Sequence, residues 1–411
     1  VGTYQENDLP DIATRLLSRG LVKMDERGLA AADLVSGWEV NNDATMFTFK
    51  LRPNLIWIDG TLIHSDDLEF NIPDVDVSYP DSATLQFKLK DSFSALPSVL
   101  TKPVFKKGNL LLGTGPYRVS KVEKSVIFIT KITLVTKNSK LPNLALRFYP
   151  NEKIAHTAFQ LGEVQSLLGV GSTTDFANNP RTEVLPIKSY SRLVSVLYNV
   201  SDPVLSNRSL RQALSYSAPK QTDQIQAKTP IPPNSFAYTS EVNDYQGNFD
   251  SAKLALGRAK ASIKEEDLKK PIELTVTPQL GSLGTEIANA WSGLGLKVTV
   301  RIEPGIPQNF QALLITQTIP EDPDQYSLWH STQTKTNLTK YSSARVDKDL
   351  EDGRKITGED DRKNKYADFQ KALLEDSPAT FLYFPKVNVV YLKKVKTKVS
   401  TVLPLQIQEI Q

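Results

Sequence analysis

The chain has 411 residues, of which 40% are apolar and 23% are charged, and its formal net charge is +3. These values exclude a fibrous or largely disordered protein and leave room for about two or three domains. The sequence contains no cysteine, which excludes disulfides, thiolate nucleophiles and zinc sites built on cysteine.

The distribution of charged and apolar residues narrows the class further. The densest basic run, KKVKTK (Lys393 to Lys398), alternates with Val and Thr and predicts an exposed strand, so no nucleic-acid partner is expected. No apolar run approaches the roughly 20 residues that cross a bilayer. The first residues, VGTYQENDLP, lack the blocks of a signal peptide, so we expect that any secretory leader was removed before Val1.

Two segments in the first quarter of the chain alternate apolar and polar residues, as half-buried strands do. They are MFTFKLR (Met46 to Arg52) and TLQFKLK (Thr84 to Lys90). Gly and Pro in IDGTL and IPDVDVSYPD predict turns between them. Residues from about 40 to 112 are therefore predicted to form a small strand-rich unit.

Three segments farther along show helical spacing, with apolar residues on one face. They are NEKIAHTAFQLGEV with Ile154, Ala158 and Leu161, SNRSLRQALSYS with Leu210, Ala213 and Leu214, and FDSAKLALGRAKASI with Leu254. We expect Gly162 to end the first helix and Asp250 to cap the third.

The stretch from Gly284 to Ile302 predicts a helix, a glycine stop and a strand, which together form an α/β layer. Its apolar residues fall into a helix face of Ile287, Ala290, Trp291 and Leu294 and an alternating set of Leu296, Val298, Val300 and Ile302. Gly295 is the predicted residue after the helix end.

A late helix is predicted over Asp361 to Glu375, followed by strands in TFLYFP and VNVVYL. The helix aligns four residues on one face: Tyr366, Phe369, Gln370 and Leu373. The proline-rich segment from Thr229 to Tyr238 is the predicted domain crossing, since consecutive prolines stiffen a chain outside a sheet.

Two segments contain residue types found in catalytic triads. HSDD (His64 to Asp67) is interpreted as a helix cap. His330 and Ser331 lie near Asp322 and Asp324, but no G-x-S-x-G motif accompanies them, and adjacent side chains on an extended segment point to opposite faces. A hydrolase using His330, Ser331 and an Asp stays open as an alternative.

No metal or cofactor is expected. The prolines of EDPD break the spacing of a calcium loop and favour a polar turn. GTGPY (Gly113 to Tyr117) is half of a dinucleotide fingerprint, with Pro116 where a phosphate-binding helix would begin. His156 is interpreted as a structural histidine.

Six ordered blocks resemble the extracytoplasmic solute-binding proteins of peptide-type ABC importers, the oligopeptide and dipeptide family. The blocks are RGLVKMDERGLAAADLVSGWEV (Arg19 to Val40), FTFKLRPNLIWIDGTLIHSDDLEF (Phe47 to Phe70), GTGPYRV, LYNVSDPVLSNRSLRQALSYS (Leu197 to Ser217), PIPPNSFAY and TIPEDPDQYSLWHSTQ (Thr318 to Gln333). Several blocks in order are more specific than any single motif.

The resemblance implies an α/β fold of the two-lobed periplasmic-binding-protein type (type II, Venus flytrap) with a reduced extra β-rich subdomain. The first lobe would comprise 1–40, 114–218 and 386–411, with the subdomain at 41–113 and the second lobe at 219–385. Two crossings between the lobes would form a hinge. Relatives are usually longer, so either the subdomain is reduced or residues are missing after DDLEF (Asp66 to Phe70).

The implied function is capture of a peptide in the inter-lobe cleft by a monomer without catalytic activity. Backbone contacts would hold the peptide, which is then delivered to the transmembrane subunits of an ABC permease. The expected location is extracytoplasmic, in the periplasm or at the outer face of the membrane, with lipid anchoring as one option. Oligosaccharide or nickel-chelate binding, and a scaffold with a degenerate cleft, stay open as alternatives.

Residues at the ligand follow from the same resemblance. Glu6 resembles a family position whose carboxylate faces the ligand, and the strand from Leu313 to Ile319 resembles the one that pairs with peptide backbone. The ligand-facing residues in this strand would be Thr316, Gln317, Thr318 and Ile319. Many relatives hold the peptide ammonium with an Asp where this chain has Ile319. We expect Glu6, Asp322 or Asp324 to replace it, or a ligand without a free N-terminus.

Four further residues complete the predicted site. Tyr198 and Asn199 match a family pair entering the lobe crossing and are expected to line the cleft. Trp329 and His330 are expected to form an aromatic wall. Trp38 and Trp57 are interpreted as packing residues.

Overall fold

The computed structural model describes residues 2–109, 111–176 and 178–406. The chain divides into two compact units. Unit 1 comprises 1–188 and 386–411, and unit 2 comprises 189–385. Among the described helices, none is long and apolar enough to cross a membrane.

The α-helices are numbered in chain order. They are α1 (Asp11–Leu17), α2 (Leu96–Val99), α3 (Glu152–Gln160), α4 (Arg208–Ser217), α5 (Phe249–Lys260), α6 (Glu265–Leu268), α7 (Gly281–Gly293), α8 (Tyr326–Trp329), α9 (Ala344–Lys355), α10 (Glu359–Asp376) and α11 (Lys396–Gln406).

The strands are numbered in the same way. They are β1 (Val22–Met24), β2 (Ala30–Ala32), β3 (Val35–Val40), β4 (Met46–Leu51), β5 (Val75–Asp81), β6 (Thr84–Leu89), β7 (Arg118–Ser125), β8 (Phe128–Val135), β9 (Leu144–Arg147), β10 (Ser166–Val170), β11 (Thr182–Lys188), β12 (Arg192–Tyr198), β13 (Ile225–Gln226), β14 (Ile272–Val276), β15 (Val298–Ile302), β16 (Ala312–Thr318), β17 (Ala379–Phe384) and β18 (Lys386–Leu392).

The predicted strand-rich unit is present as a four-stranded antiparallel sheet in the order β3-β4-β6-β5. The alternation predicted for β4 and β6 is confirmed, because Phe47, Phe49 and Phe87 are buried in one core with Trp57. HSDD forms a short 3₁₀ turn in which the Asp67 carboxylate accepts a bond of 2.8 Å from the His64 backbone N–H. The sheet starts at Val35, and its status as a separate subdomain stays a prediction.

Unit 1 also contains two three-stranded sheets, β7-β8-β9 and β10-β18-β11. The second sheet takes its central strand from the C-terminal part of the chain. In GTGPY, the glycines allow close backbone approach, since a Cβ on Gly115 would lie 2.6 Å from the carbonyl oxygen of Leu16. His156 is buried on α3 and its Nδ1 lies 2.8 Å from the Asp175 carboxylate, which agrees with a structural role.

Unit 2 is built on a six-stranded mixed sheet in the order β13-β17-β12-β16-β14-β15. Helices α4, α5 and α7 contribute to the core cluster that contains Trp291, and α9 and α10 contribute to the cluster that contains Phe369. The sheet therefore has an apolar core on each face. The predicted faces of α4 and α10 are confirmed, since their named residues are buried.

The first boundary between the units differs from the one expected from the sequence. Residues 189–218 were expected in the first lobe, but they lie in unit 2. The physical reason is that β12 pairs with β16 and β17 of unit 2. In addition, the Leu214 carbonyl of α4 accepts a hydrogen bond of 3.1 Å from Trp291 Nε1. The proline-rich segment at 229–238 also lies inside unit 2, where Thr229 bonds Gln370, and it is not a crossing.

The predicted apolar face of α3 and the predicted cap and apolar face of α5 differ from those in the structure. On α3, Leu161 and Ile154 are exposed and Phe159 is buried instead. Asn248, not Asp250, caps α5, and Leu254 is exposed.

The predictions for β15 and for KKVKTK (Lys393 to Lys398) are also corrected by the structure. Val300 and Ile302 are exposed because β15 is an edge strand. KKVKTK lies in a 3₁₀ turn and the start of α11, not in a strand. Val395, Val402 and Leu403 are buried at helical spacing, which accounts for this.

Replacing Gly115 with alanine tests the close approach in GTGPY. We expect Gly115→Ala to lower the free energy of unfolding by about 1–3 kcal/mol, because the new methyl group meets backbone that cannot move aside. The control is Gly257→Ala in α5, where a Cβ meets nothing within 4 Å. This change should stabilise the protein by about 0.5–1 kcal/mol. Urea unfolding measures both, and equal midpoints would contradict the packing described.

Candidate functional site

Strand β16 is paired along its whole length on one side and along only half of it on the other. On the first side, β12 pairs with all of it, from Arg192 opposite Thr318 to Tyr198 opposite Ala312. On the second side, β14 pairs only with Ala312 to Leu314. The C-terminal half of β16 therefore has an open edge in the described part of unit 2.

The open edge exists because β14 ends early. The last strand residue is Val276, and the Thr277 N–H donates to the Leu314 carbonyl at 3.3 Å. The next residue, Pro278, has no N–H and starts a 3₁₀ turn that leads into α7. The chain thus leaves the sheet where it would otherwise cover the remainder of β16.

The hydrogen-bond pattern shows which backbone groups face the open edge. The N–H of Ile319 donates to Ser191 and the N–H of Asn199 donates to Gln311. In an antiparallel pair, hydrogen-bonded positions recur every second residue. Gln317 therefore bonds to β12, and the N–H and C=O groups of Thr316 and Thr318 point toward the open edge.

The side chains along β16 change character where the edge opens. Ala312 to Leu314 are fully buried, whereas Thr316 and Thr318 are exposed. Gln317 is half-buried and accepts a bond of 3.3 Å from the Ser195 hydroxyl. Ile319 is buried in the core of unit 2. The backbone expected to pair with a ligand is thereby limited to Thr316 and Thr318.

Asp322 and Asp324 are both held by buried ion pairs. The Asp322 carboxylate receives two bonds from Arg362, at 3.1 and 2.6 Å, and Asp324 receives one of 2.8 Å from Arg354. Burial by itself lowers the pKa of Arg362, but the charge of Asp322 reverses this and the net pKa is raised. Burial raises the pKa of Asp324, and Arg354 opposes that rise. EDPD was expected to form a polar turn, and in the structure its two aspartates also form ion pairs with arginines. Because both carboxylates are already paired, neither is available for a ligand ammonium.

Trp329 and His330 lie in the interior of unit 2 and do not form an exposed wall. The Trp329 indole donates to Gln325 Oε1 at 2.9 Å and packs edge-on against Phe381. The His330 ring stacks on Tyr326 with ring centroids 4.0 Å apart. Both side chains are less than 5% exposed, which corrects their predicted contact with a ligand.

His330 and Ser331 are not arranged as a base and a nucleophile. The Ser331 hydroxyl donates to Asp347 at 2.6 Å. The two ring nitrogens of His330 lie near other partners, Thr332 at 2.8 Å and Glu351 at 3.2 Å. A nucleophilic serine would need its hydroxyl bonded to the imidazole, so this geometry does not support the hydrolase alternative.

Tyr198 is a core residue, and Asn199 fixes a loop. The Tyr198 side chain is fully buried, its hydroxyl lies 2.6 Å from Thr380, and burial raises its pKa to about 12. Tyr198 therefore offers no surface to a ligand, contrary to expectation. Asn199 is half-buried and donates to the Phe310 carbonyl at 3.1 Å. Its role at a ligand stays a prediction.

Glu6 lies in unit 1 and pairs with Lys124 at 2.8 Å, with 44% of its side chain exposed. Its carboxylate can be approached from solvent, and its contact with a ligand stays a prediction. Within the described ranges, no group of three or more His, Asp and Glu side chains is placed to hold a metal ion.

Removing Arg362 tests the ion pair with Asp322. We expect Arg362→Met to lower the free energy of unfolding by about 3–5 kcal/mol, because it leaves a buried carboxylate without its partner. The double variant Asp322→Asn/Arg362→Met should regain part of that loss. Lys269→Met, at the exposed pair with Glu265, serves as the control and should change little. A loss for Arg362→Met no larger than for the control would show that the pair is not buried as described.

The matches to known proteins agree with this architecture. The family model of bacterial extracellular solute-binding proteins, family 5 Middle, matches residues 30–338. Oligopeptide-binding protein AppA of Bacillus subtilis is 24% identical over 60% of this chain, which spans about half (51%) of that relative's length.

Solved structures extend the match to the fold. AppA from Bacillus subtilis in complex with a nonapeptide has a TM-score of 0.69 at 18% identity, covering 98% of this chain and 96% of that one. NikZ from Campylobacter jejuni in complex with Ni(L-His) has a TM-score of 0.73 at 22% identity, covering 92% and 89%. These likenesses confirm the predicted fold class, the type II periplasmic-binding-protein fold. With the family model matching most of its length, the chain belongs to the bacterial extracellular solute-binding proteins of family 5.

Proposed function

We propose that this protein is the substrate-binding component of an ABC importer and that it captures an extended peptide by backbone pairing along β16. The observation that carries the proposal is the open edge, where Thr316 and Thr318 each present an N–H and a C=O. An extended peptide has the complementary donors and acceptors at the same spacing, so it can add as a strand whatever its side chains are.

The same site argues against a fixed ammonium anchor on this strand. Ile319 occupies the position of the expected Asp and is buried, and Asp322 and Asp324 are neutralised by arginines. A free N-terminus bound here would be left without a carboxylate partner from this segment. Recognition in this proposal therefore depends on the peptide backbone.

Several parts of the proposal come from the family alone. They are enclosure of the peptide by the two lobes, delivery to permease subunits, a monomeric state, absence of catalysis and an extracytoplasmic location with or without a lipid anchor. A non-peptide solute such as a nickel chelate is a second candidate, which the lack of a free carboxylate at Ile319, Asp322 and Asp324 favours. Mass spectrometry of ligand retained during purification from the native host distinguishes the two.

Thr318→Pro tests the open edge directly. Proline removes one N–H that faces the edge and leaves the pairing with β12 intact, so we expect peptide affinity to fall about 3- to 10-fold. A mixed library of short peptides is first screened for one peptide that binds the parent protein. Calorimetric titration with that peptide then measures its affinity for each variant. Thr318→Ala keeps the N–H and should bind like the parent. Loss of affinity in the alanine variant alone would contradict backbone pairing, and melting temperatures identify any variant that fails to fold.

Blocking the peptide amine tests the absence of an anchor. We expect N-terminal acetylation of the same peptide to change its affinity less than about threefold, because a tenfold change would require about 1.4 kcal/mol of interaction with the ammonium. The matched control is the peptide N-methylated at successive backbone amides, which should weaken binding at one or more positions. A tenfold loss of affinity on acetylation would contradict the proposal, because it would show that a carboxylate of the protein binds the peptide ammonium.

A further inference from the structure

Arg192 of β12 lies directly opposite Thr318, the last residue of β16 and part of its open edge. Residues that lie opposite each other on neighbouring strands carry their side chains on the same face of the sheet. The side chains of Arg192 and Thr318 are both exposed. Arg192 therefore places a cationic side chain beside the edge that is proposed to pair with a peptide.

The face that these two residues share begins as core and ends as surface. Val194, two residues after Arg192, and Leu314, four residues before Thr318, are buried in the same apolar cluster. Arg192 and Thr318 continue this face past the point where the cluster ends. The Arg192 side chain thus lies at the margin of the core, within reach of solvent and of a strand added to β16.

Arg192 has no partner for its guanidinium within the described residues, where it makes neither an ion pair nor a side-chain hydrogen bond. Arg301 on β15 of the same sheet differs, since it bonds to Glu273 and Glu303 at 3.0 and 2.9 Å. An arginine carries five N–H donors in a planar fork that fits a carboxylate. The donors of Arg192 remain available to a ligand.

Two carboxylates near this face act on a different strand. Burial raises the pKa of Tyr383 of β17, and the charges of Asp223 and Glu286 add to that rise. Tyr383 lies opposite Val194, on the side of β12 away from β16. In the part of the chain that the structure describes, neither carboxylate forms an ion pair with Arg192.

A peptide strand added to β16 comes within reach of Arg192. Neighbouring strands lie about 4.8 Å apart, so the added strand lies about 10 Å from β12. The ligand residue opposite Thr318 carries its side chain on the face of Arg192. An extended arginine side chain that meets a glutamate side chain spans this distance, and both pass over the short side chain of Thr318.

We infer that Arg192 gives the open edge of β16 a preference for a peptide with an acidic side chain, Asp or Glu, at the residue opposite Thr318. The ligand carboxylate accepts bonds from the guanidinium while the ligand backbone pairs with Thr316 and Thr318. This inference rests on the proposed peptide binding at β16. Backbone pairing admits peptides of any sequence, and Arg192 favours the acidic ones among them.

The test uses ten blocked peptides that differ in charge at a single position. Each is acetylated and amidated pentaalanine that carries Glu, or its neutral analogue Gln, at one of the five positions. In calorimetric titration at about 50 mM salt, we expect Glu to bind about 3- to 10-fold more tightly than Gln at one position or more. Raising the salt to about 500 mM should reduce this ratio, because the contact joins two charges.

Substitutions at Arg192 assign the preference to its guanidinium. Arg192→Gln should reduce the ratio of Glu to Gln affinity to about one, and Arg192→Lys should keep part of it, since lysine retains the charge but not the planar fork. The matched control is Arg301→Gln, which removes an arginine that already has carboxylate partners and should keep the full ratio. Both peptides of a pair are measured on the same variant, so a loss of stability does not imitate a change in the ratio.

The outcomes separate this inference from the proposed function. Equal binding of the Glu and Gln peptides by the parent protein would overturn the acidic preference and leave backbone pairing intact. A ratio that survives Arg192→Gln would overturn the role of Arg192. If none of the ten peptides binds, the proposed peptide binding fails together with this inference.

Discussion

The backbone hydrogen bonds that β16 leaves unmade on one side are the constraint on which the proposed function depends. A buried strand normally satisfies its N–H and C=O groups on both sides, and β16 does so only as far as Leu314. Pro278 turns the neighbouring strand away and leaves Thr316 and Thr318 to pair with something else. The polar exposed side chains at these two positions suit a surface that is hydrated until a ligand arrives.

A rigid segment follows directly after this edge. Asp322 and Asp324 are fixed by arginines from α10 and α9, and Trp329 and His330 anchor α8 in the core. These contacts hold the C-terminal end of β16 in place, and a strand that must pair with a ligand gains from such preorganisation, because less entropy is lost on binding. Asp322, Asp324, Trp329 and His330, which resemble a catalytic or aromatic site in the sequence, thus stabilise the segment that follows the open edge.

Sequence patterns predicted many of the elements but did not predict the burial of Tyr198, Trp329 and His330. The alternation in β4 and β6 and the faces of α4 and α10 are local properties, and the structure confirms them. The exposure of Val300 depends on β15 being an edge strand, and the burial of Tyr198 depends on its partner Thr380, which is distant in sequence. Pro278, two residues after the end of β14, was a signal in the sequence that the strand stops there. Its meaning for the open edge required knowing that β14 and β16 are neighbours.

The exposed edge of β15 carries a charged residue between two exposed apolar ones. Val300 and Ile302 would make this strand adhesive, yet Arg301 lies between them and bonds to Glu273 and Glu303 at 3.0 and 2.9 Å. A charged residue in an edge strand disfavours docking of a second molecule, since the charge would lose its hydration. We therefore expect Arg301 to disfavour pairing between the β15 edges of two molecules.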